Sequence, residues 1–297
     1  MDLNLKIDVV QKITPQEFDE LYFKPQRPVL IKNILVEQPG AQKWTMDWFK
    51  QTMGDLIVDL YDSKKTNLSR TAITIPDKRV RFAEYLDMIS GNKPSDYRIF
   101  LFNIFKHNPA LRQDFKCPDF FKSYLKEIGF VFFGGINSVT RMHQDIDMSN
   151  VLLTQFDGKK RVVLFDPKLS ELLYKLPFNT FSLVDIDKPD YEKFPGLKYV
   201  KGYDVILERG DSLFMPSGWW HHVVYLTGGF SVSFRKLSTE FETLLHGGVN
   251  LALFMPIDKV FDKLFDAKWF EYKRNIAIRR ASQKINAISD LQNKSLA

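Results

Sequence analysis

The stretch NVLLTQFDGKKRVVLF, residues 150–165, contains two short apolar runs on either side of Asp157-Gly158. Runs of this length that are rich in β-branched residues are typical of buried strands, and Asp-Gly between two of them predicts a hairpin turn. Similar runs continue from Tyr97 to Phe234, separated by Gly, Asp, Asn and Pro. The pattern predicts a mainly β core with flanking helices, built as an antiparallel sandwich or small barrel such as a jelly roll or cupin.

The segments on both sides of this core have a different pattern. Near the N-terminus, Thr14, Pro15 and Glu17 predict a capping box that opens a helix. Two further helix-like runs stop at Gly54 and Gly91, where we expect left-handed caps, and short strands lie between them. After residue 238 the pattern is helical to the end. We therefore expect a domain over residues 1–240, with mixed α/β elements before a core at about 97–236, and a C-terminal helical segment at 241–297.

The composition is that of a chain with a large buried core. It has 297 residues, 44% of them hydrophobic, and a single cysteine, Cys117, which cannot form an internal disulfide. The N-terminus lacks the basic and long apolar regions of a secretory signal, and no apolar run reaches the roughly 18 residues of a membrane span. These features predict a cytoplasmic protein with no membrane segment. The net charge of +6 would suit an acidic partner but does not identify one.

The stretch MHQDIDMSN, residues 142–150, contains the first candidate site. His143 and Asp145 are two positions apart, so on a strand both side chains would project from the same face. Further along, WWHH at 219–222 offers a second imidazole, and only one of its two adjacent histidines can face the same site. Two imidazoles and one carboxylate form the triad that suits non-haem Fe(II). The alternative is a polar strand edge beside an aromatic core strand.

Two adjacent lysines form the second candidate site. Lys159 and Lys160 follow the Asp157-Gly158 turn and open the next strand on opposite faces. One of them could point inward and pair with an acidic cosubstrate, because the lysine ammonium is a compact point charge. The alternative is that both are solvated, as lysines usually are.

Three segments occur in an order that resembles a known family. They read N-x-V-T-x-x-H-x-D from Asn137, G-x-K-R-x-x-L-F-x-P from Gly158, and G-D-x-L-x-x-P-x-x-W-W-H from Gly210. The chain thereby resembles the JmjC and cupin-like Fe(II)/2-oxoglutarate oxygenases, and in particular the branch with the asparaginyl hydroxylase that acts on hypoxia-inducible factor. The resemblance implies a double-stranded β-helix core, Fe(II) as the metal and 2-oxoglutarate as the cosubstrate.

The resemblance also implies roles for individual residues. The iron ligands would be His143, Asp145 and His221, and the residues that contact 2-oxoglutarate would be Lys160, Thr140 and Asn150. Two positions depart from the family. Phe100 stands where a tyrosine would bind the cosubstrate, and Arg235 stands where an asparagine would lie. Arg235 would add a second cation at the cosubstrate or would face the substrate. Asp147 is expected on the substrate side of the metal or in support of its ligands, and the alternative is a fourth metal ligand.

The function implied by the resemblance is that of a hydroxylase that uses O2 and releases succinate and CO2. We expect a protein side chain as the substrate, and a modified RNA base or a small metabolite are the alternative substrates. The alternative function is that of a cupin metal-binding protein without 2-oxoglutarate turnover.

The C-terminal segment suggests the partners. Apolar residues recur there at near-helical spacing and predict one buried face, formed by Phe261, Leu264, Phe265, Trp269, Tyr272, Ile276 and Ile278. Because family members often dimerise through such helices, we expect a homodimer. RNA binding by the basic residues of the last helix is the second interpretation, since positive charge attracts phosphate.

Overall fold

The computed structural model describes residues 1–36, 38–62, 76–91, 94–99, 102–122, 125 and 129–296, and Phe100 lies outside them. The strands are β1 Asp8–Val10, β2 Val29–Ile31, β3 Ile57–Asp62, β4 Lys78–Arg81, β5 Tyr97–Ile99, β6 Phe130–Gly134, β7 Val139–His143, β8 Asn150–Asp157, β9 Lys160–Phe165, β10 Tyr203–Leu207, β11 Ser212–Met215, β12 Trp220–Tyr225 and β13 Gly229–Lys236.

The helices lie mainly before and after the strands of the core. They are α1 Pro15–Phe18, α2 Gly40–Lys43, α3 Met46–Met53, α4 Phe82–Ile89, α5 Ile104–His107, α6 Leu111–Asp114, α7 Phe241–Val249, α8 Met255–Phe265 and α9 Ala267–Leu296. Asp19–Phe23 and Asn250–Phe254 are π-helical, and Asp119–Phe121, Pro167–Leu169 and Pro195–Tyr199 form 3-10 turns.

The strands form two sheets that enclose the apolar core. Within the described part of the chain, the large sheet has the order β1-β2-β11-β8-β13-β6-β5-β3-β4, and the small sheet has the order β10-β9-β12-β7. Pairing is antiparallel except between β1 and β2. β8, NVLLTQFD, is buried along nearly its whole length, although half of its residues are polar. The architecture is that of a jelly roll with flanking helices, which confirms the predicted fold class.

The turn at Asp157-Gly158 does not form the predicted hairpin. β8 belongs to the large sheet, whereas β9 belongs to the small sheet and pairs with β10 and β12. The turn therefore leads the chain from one sheet to the other. It still requires glycine, because Gly158 has φ +71° and a Cβ there would lie 2.7 Å from the Thr227 hydroxyl. The dipeptide determines the backbone shape of the turn, but it does not determine which strand the following residues join.

The N-terminal helices begin as predicted, and one of them ends differently. The capping box is present: the Thr14 hydroxyl accepts a hydrogen bond from the Glu17 N–H at 3.2 Å, and the Glu17 carboxylate accepts one from the Thr14 N–H at 2.9 Å. Gly91 has φ +73° just after α4, as expected. Gly54 after α3 is right-handed, with φ −60°, so the left-handed cap is wrong there. Its glycine instead allows close packing, since a Cβ would lie 2.9 Å from the Cβ of Ala83 in α4.

The C-terminal helices bury less apolar surface than their spacing predicts. Ala277 and Ala281 of α9 pack into a core cluster with Phe165 and Trp220 of the small sheet, and Trp269 is also buried. Four other residues of the predicted buried face are exposed: Phe261, Leu264, Phe265 and Tyr272. Helical spacing shows that residues share a face, but it does not show what covers that face. Among the described residues, no helix combines the length and hydropathy needed to cross a membrane.

Candidate metal centre

A cavity of about 390 Å³ lies between the two sheets. Strands of both sheets line it, together with the loop at 178–181, and Leu251 and Met255 extend its wall from the C-terminal helices. Its walls are largely apolar, whereas His143, Asp145, His221 and Lys160 project from them as polar groups. An apolar cavity with a few convergent polar side chains is the usual form of a small-molecule site.

Two histidines meet on adjacent strands of the small sheet. His143 is the last residue of β7, His221 lies in β12, and the two are partners in the register of these strands. Their ring centroids are 4.1 Å apart. Asp145 lies beyond the end of β7, so the expectation that it shares a strand with His143 is wrong. Between His143 and Asp145 the backbone lies beside the loop at 178–181, where the Gln144 N–H donates a hydrogen bond to the Thr180 carbonyl at 2.9 Å.

His143, Asp145 and His221 together form a group that can hold a metal ion. Each offers one ligand atom, and these atoms lie within 4.8 Å of one another. The Nδ1 atom of His143 lies 2.8 Å from the Arg141 carbonyl, and that of His221 lies 3.1 Å from the Trp219 carbonyl. Because a carbonyl only accepts, each Nδ1 carries a proton, and Nε2 is the nitrogen that each ring can offer to a metal.

The electrostatics of the triad also suit a metal ion. Burial and the neighbouring His221 ring lower the pKa of His143 to about 3, so the imidazole is neutral, as a ligand must be. Burial opposes ionisation of Asp145, but the surrounding positive charge, chiefly the Arg235 guanidinium, outweighs it and lowers the pKa of Asp145 to about 2. The triad therefore combines a neutral His143 imidazole and an ionised Asp145 carboxylate with the His221 imidazole, the donor set that suits non-haem iron.

Arg235 contacts two acids beside the triad. Its guanidinium lies 3.1 Å from Asp145 and 3.3 Å from Asp147, and it also lines the cavity. The Asp147 carboxylate accepts a second hydrogen bond from the Ser149 hydroxyl at 2.7 Å. Arg235 is thus placed to fix the orientation of the metal-side carboxylate, and Asp147 is placed to hold Arg235.

Lys160 is buried in the same cavity without an acidic partner among the described residues. It is 2% exposed, its ammonium donates a hydrogen bond to the Ser231 hydroxyl, and it lies 4.2 Å from the centre of the Tyr225 ring. Burial lowers the pKa of Lys160 well below its ordinary value. A carboxylate entering the cavity would offset that effect by pairing with the ammonium. Lys159 lies on the opposite face and pairs with Glu208 at 2.6 Å, as the alternation of the strand predicts.

Thr140 lies in the cavity beside a cation that no motif in the sequence predicted. Its hydroxyl accepts a hydrogen bond from the Arg98 guanidinium at 3.0 Å, and Arg98 also lines the cavity. A charged residue within the apolar run YRIFLF was the available signal. Asn150 is not among the described residues that line the cavity, and its amide oxygen accepts hydrogen bonds from Gln26 and the Ser217 N–H.

His222 points away from the triad. Its Nε2 atom lies 2.9 Å from Asp187 on the other side of the small sheet. The alternation of adjacent side chains along β12 explains this opposite orientation. The choice of His221 as the candidate ligand thus has a geometric basis.

Comparisons with known proteins identify a family and several relatives of the chain. A family model described as a cupin-like domain matches residues 15–240. The chain is 26% identical over 249 residues to the tRNA wybutosine-synthesizing protein 5 of Homo sapiens, with 77% of each chain covered. It is 30% identical over 224 residues to the lysine-specific demethylase JMJ30 of Arabidopsis thaliana, which covers 72% of this chain and 50% of that protein.

A third relative carries the family in its name. The chain is 28% identical over 243 residues to the JmjC domain-containing protein D of Dictyostelium discoideum, which covers 73% of this chain and 53% of that protein. The chain thus spans about half the length of these last two relatives. The order of motifs, the jelly-roll fold and the family match over residues 15–240 agree, and the chain belongs to the cupin-like (JmjC) domain family.

Proposed function

We propose that the protein is an Fe(II)- and 2-oxoglutarate-dependent oxygenase that hydroxylates a protein side chain. The observation that carries the proposal is the combination of two polar features in one cavity. His143, Asp145 and His221 converge as two imidazoles and a carboxylate, and Lys160 is buried nearby with no carboxylate partner among the described residues. A metal and an anionic cosubstrate would satisfy both features.

The residues fit this pair of ligands in charge and in donor type. Fe(II) would be held by His143, Asp145 and His221, and the distal carboxylate of 2-oxoglutarate would be held by Lys160 and the Thr140 hydroxyl. Bound together, they supply the oxidising chemistry that inserts an oxygen atom from O2 into a C–H bond while 2-oxoglutarate becomes succinate and CO2. The protein orients the ligands, neutralises the cosubstrate charge and keeps water away from the reacting atoms.

The substrate side of the cavity is apolar. Phe178, Leu251 and Met255 line it, and Leu251 is 42% exposed, which places it towards the solvent. A cavity of about 390 Å³ would also contain the cosubstrate, so the remaining space suits a side chain better than a large molecule. This is the support for a protein or peptide substrate.

A modified RNA base is the second candidate substrate. The similarity to a tRNA wybutosine-synthesizing protein favours it, and so do the exposed basic residues of α9, which include Lys268, Arg279 and Arg280. A tRNA that stimulates succinate release more strongly than peptides do would favour this second function.

Anaerobic binding of Fe(II) and 2-oxoglutarate tests the proposed chemistry. We expect the wild-type protein to give a metal-to-cosubstrate charge-transfer band, because the triad leaves coordination positions open for the 2-oxo acid. His143→Ala should lose the band through loss of the metal. His222→Ala is the matched control and should keep it, since His222 faces Asp187. A band of equal strength in wild type and His143→Ala would contradict the site assignment.

A further inference from the structure

The loop that carries Asp145 packs against the C-terminal helices. β7 ends at His143 and β8 begins at Asn150, so Asp145 lies in the loop between them. The backbone of α7 approaches this loop at Gly247. A Cβ at position 247 would lie 2.5 Å from the Asp147 carbonyl oxygen and 2.9 Å from its carbon, far closer than a side chain can come without moving the backbone.

A second contact from the same segment holds the neighbouring peptide. The Asn250 side-chain N–H donates to the Ile146 carbonyl at 3.1 Å, and Asn250 is only 5% exposed. Without this donor the Ile146 carbonyl would lose a hydrogen bond that holds the peptide in its present position. Gly247 and Asn250 therefore contact the two residues that directly follow the candidate metal ligand Asp145.

Two adjacent glycines in α7 allow the effect of the contact with the loop to be separated from the effect of a glycine in the helix. A glycine inside a helix destabilises that helix relative to alanine. Gly248 meets nothing within 4 Å of an added Cβ, whereas Gly247 meets the Asp147 backbone. The two positions thus have the same helical context and differ in their contact with the loop.

We infer that Gly247 and Asn250 are positioning residues for Asp145. They fix the backbone at 146–147 so that the Asp145 carboxylate converges with the two imidazoles. The inference rests on the metal site of the proposed function. It makes the C-terminal helical segment, which begins at the end of the matched family range, a structural part of the metal centre.

Anaerobic titration with Co(II) tests this inference through a readout other than turnover. We expect Gly247→Ala to weaken Co(II) binding by about 10-fold or more and to shift the visible d–d absorption, because a displaced carboxylate changes both affinity and geometry. Gly248→Ala should bind as the wild type does. Asn250→Ala should also weaken Co(II) binding, and its control is Asn275→Ala, at an exposed position of α9.

Thermal unfolding of the metal-free proteins separates positioning from folding. A contact that is only structural would lower the melting temperature and leave the Co(II) affinity and spectrum of the folded protein unchanged, and that result would overturn the inference. Where Gly247→Ala shows no cooperative unfolding, Asn250→Ala decides. If the wild type binds no Co(II), or if His143→Ala binds it equally well, the proposed metal site fails and the inference fails with it. Wild-type affinity in folded Gly247→Ala and Asn250→Ala overturns the inference alone.

Discussion

The buried ammonium of Lys160 leads to a prediction about cosubstrate affinity. Lys160→Ala removes a positive charge from the cavity, and a hydrogen bond to a charged group contributes about 1.5–3 kcal/mol. We expect the dissociation constant of 2-oxoglutarate to rise about 10- to 100-fold, while the affinity for the metal changes little. Calorimetry on the Mn(II)-loaded protein would measure this. Lys159→Ala is the matched control, since Lys159 pairs with Glu208 outside the cavity, and an unchanged affinity in Lys160→Ala would remove the role assigned to it.

At the residue scale, alternation along one strand made it predictable from the sequence that adjacent side chains have opposite orientations. The adjacency of Lys159 and Lys160, and that of His221 and His222, predicts that only one member of each pair faces the cavity, and the family resemblance selected Lys160 and His221. Arg98 could not be found in this way. Its position beside Thr140 depends on how the two sheets face each other, and pattern along the chain carries no information about that distance.

A buried ion pair joins α8 to α9. Lys273 lies 2.5 Å from Asp258, neither side chain is exposed, and Trp269 donates to the same carboxylate at 2.8 Å. Asp258→Leu would leave the ammonium buried without a counter-charge, so we expect it to reduce the free energy of unfolding by about 3–5 kcal/mol. The double variant Asp258→Leu/Lys273→Met should recover most of that loss, because it removes both charges.

Urea denaturation of the two single variants and the double variant would measure the coupling energy. Strictly additive losses would show that the pair is not coupled, in contradiction to its geometry.

The sequence did not predict this pair, because Asp258 and Lys273 are separated by the break between α8 and α9 at Asp266. At the element scale, strand existence was predictable from apolar runs, whereas strand partners were not. The Asp157-Gly158 turn shows the difference, since it changes sheets where a hairpin was expected.

At the scale of the whole molecule, the exposed apolar residues of the C-terminal helices support the homodimer, which stays a prediction. Phe241, Leu245, Leu264 and Phe265 are 76%, 56%, 66% and 51% exposed, and large apolar side chains left exposed in such number are typical of interfaces. A second copy is the expected partner because most soluble oligomers are symmetric homodimers. Sedimentation velocity should show a dimer at micromolar concentration, and Leu264→Glu/Phe265→Glu should show a monomer.

Val36→Glu is the control for this experiment, since Val36 is 79% exposed at the opposite end of the chain and should leave the dimer intact. A wild-type monomer would contradict the prediction.

The apolar spacing of the last helices could be recognised in the sequence, but what covers the apolar face could not. The same spacing fits a face buried inside one chain and a face buried between two chains, and only the surrounding elements distinguish them.

The pairing of β7 with β12 has a consequence for ion selectivity. The backbone ladder that joins these strands sets His143 opposite His221. The entropy cost of bringing the two imidazoles together is therefore met during folding and not during ion capture. Asp145 is the member of the triad that lies outside the ladder. Because two fixed imidazoles accept many first-row divalent ions, discrimination among those ions would depend on how far this carboxylate can adjust its distance.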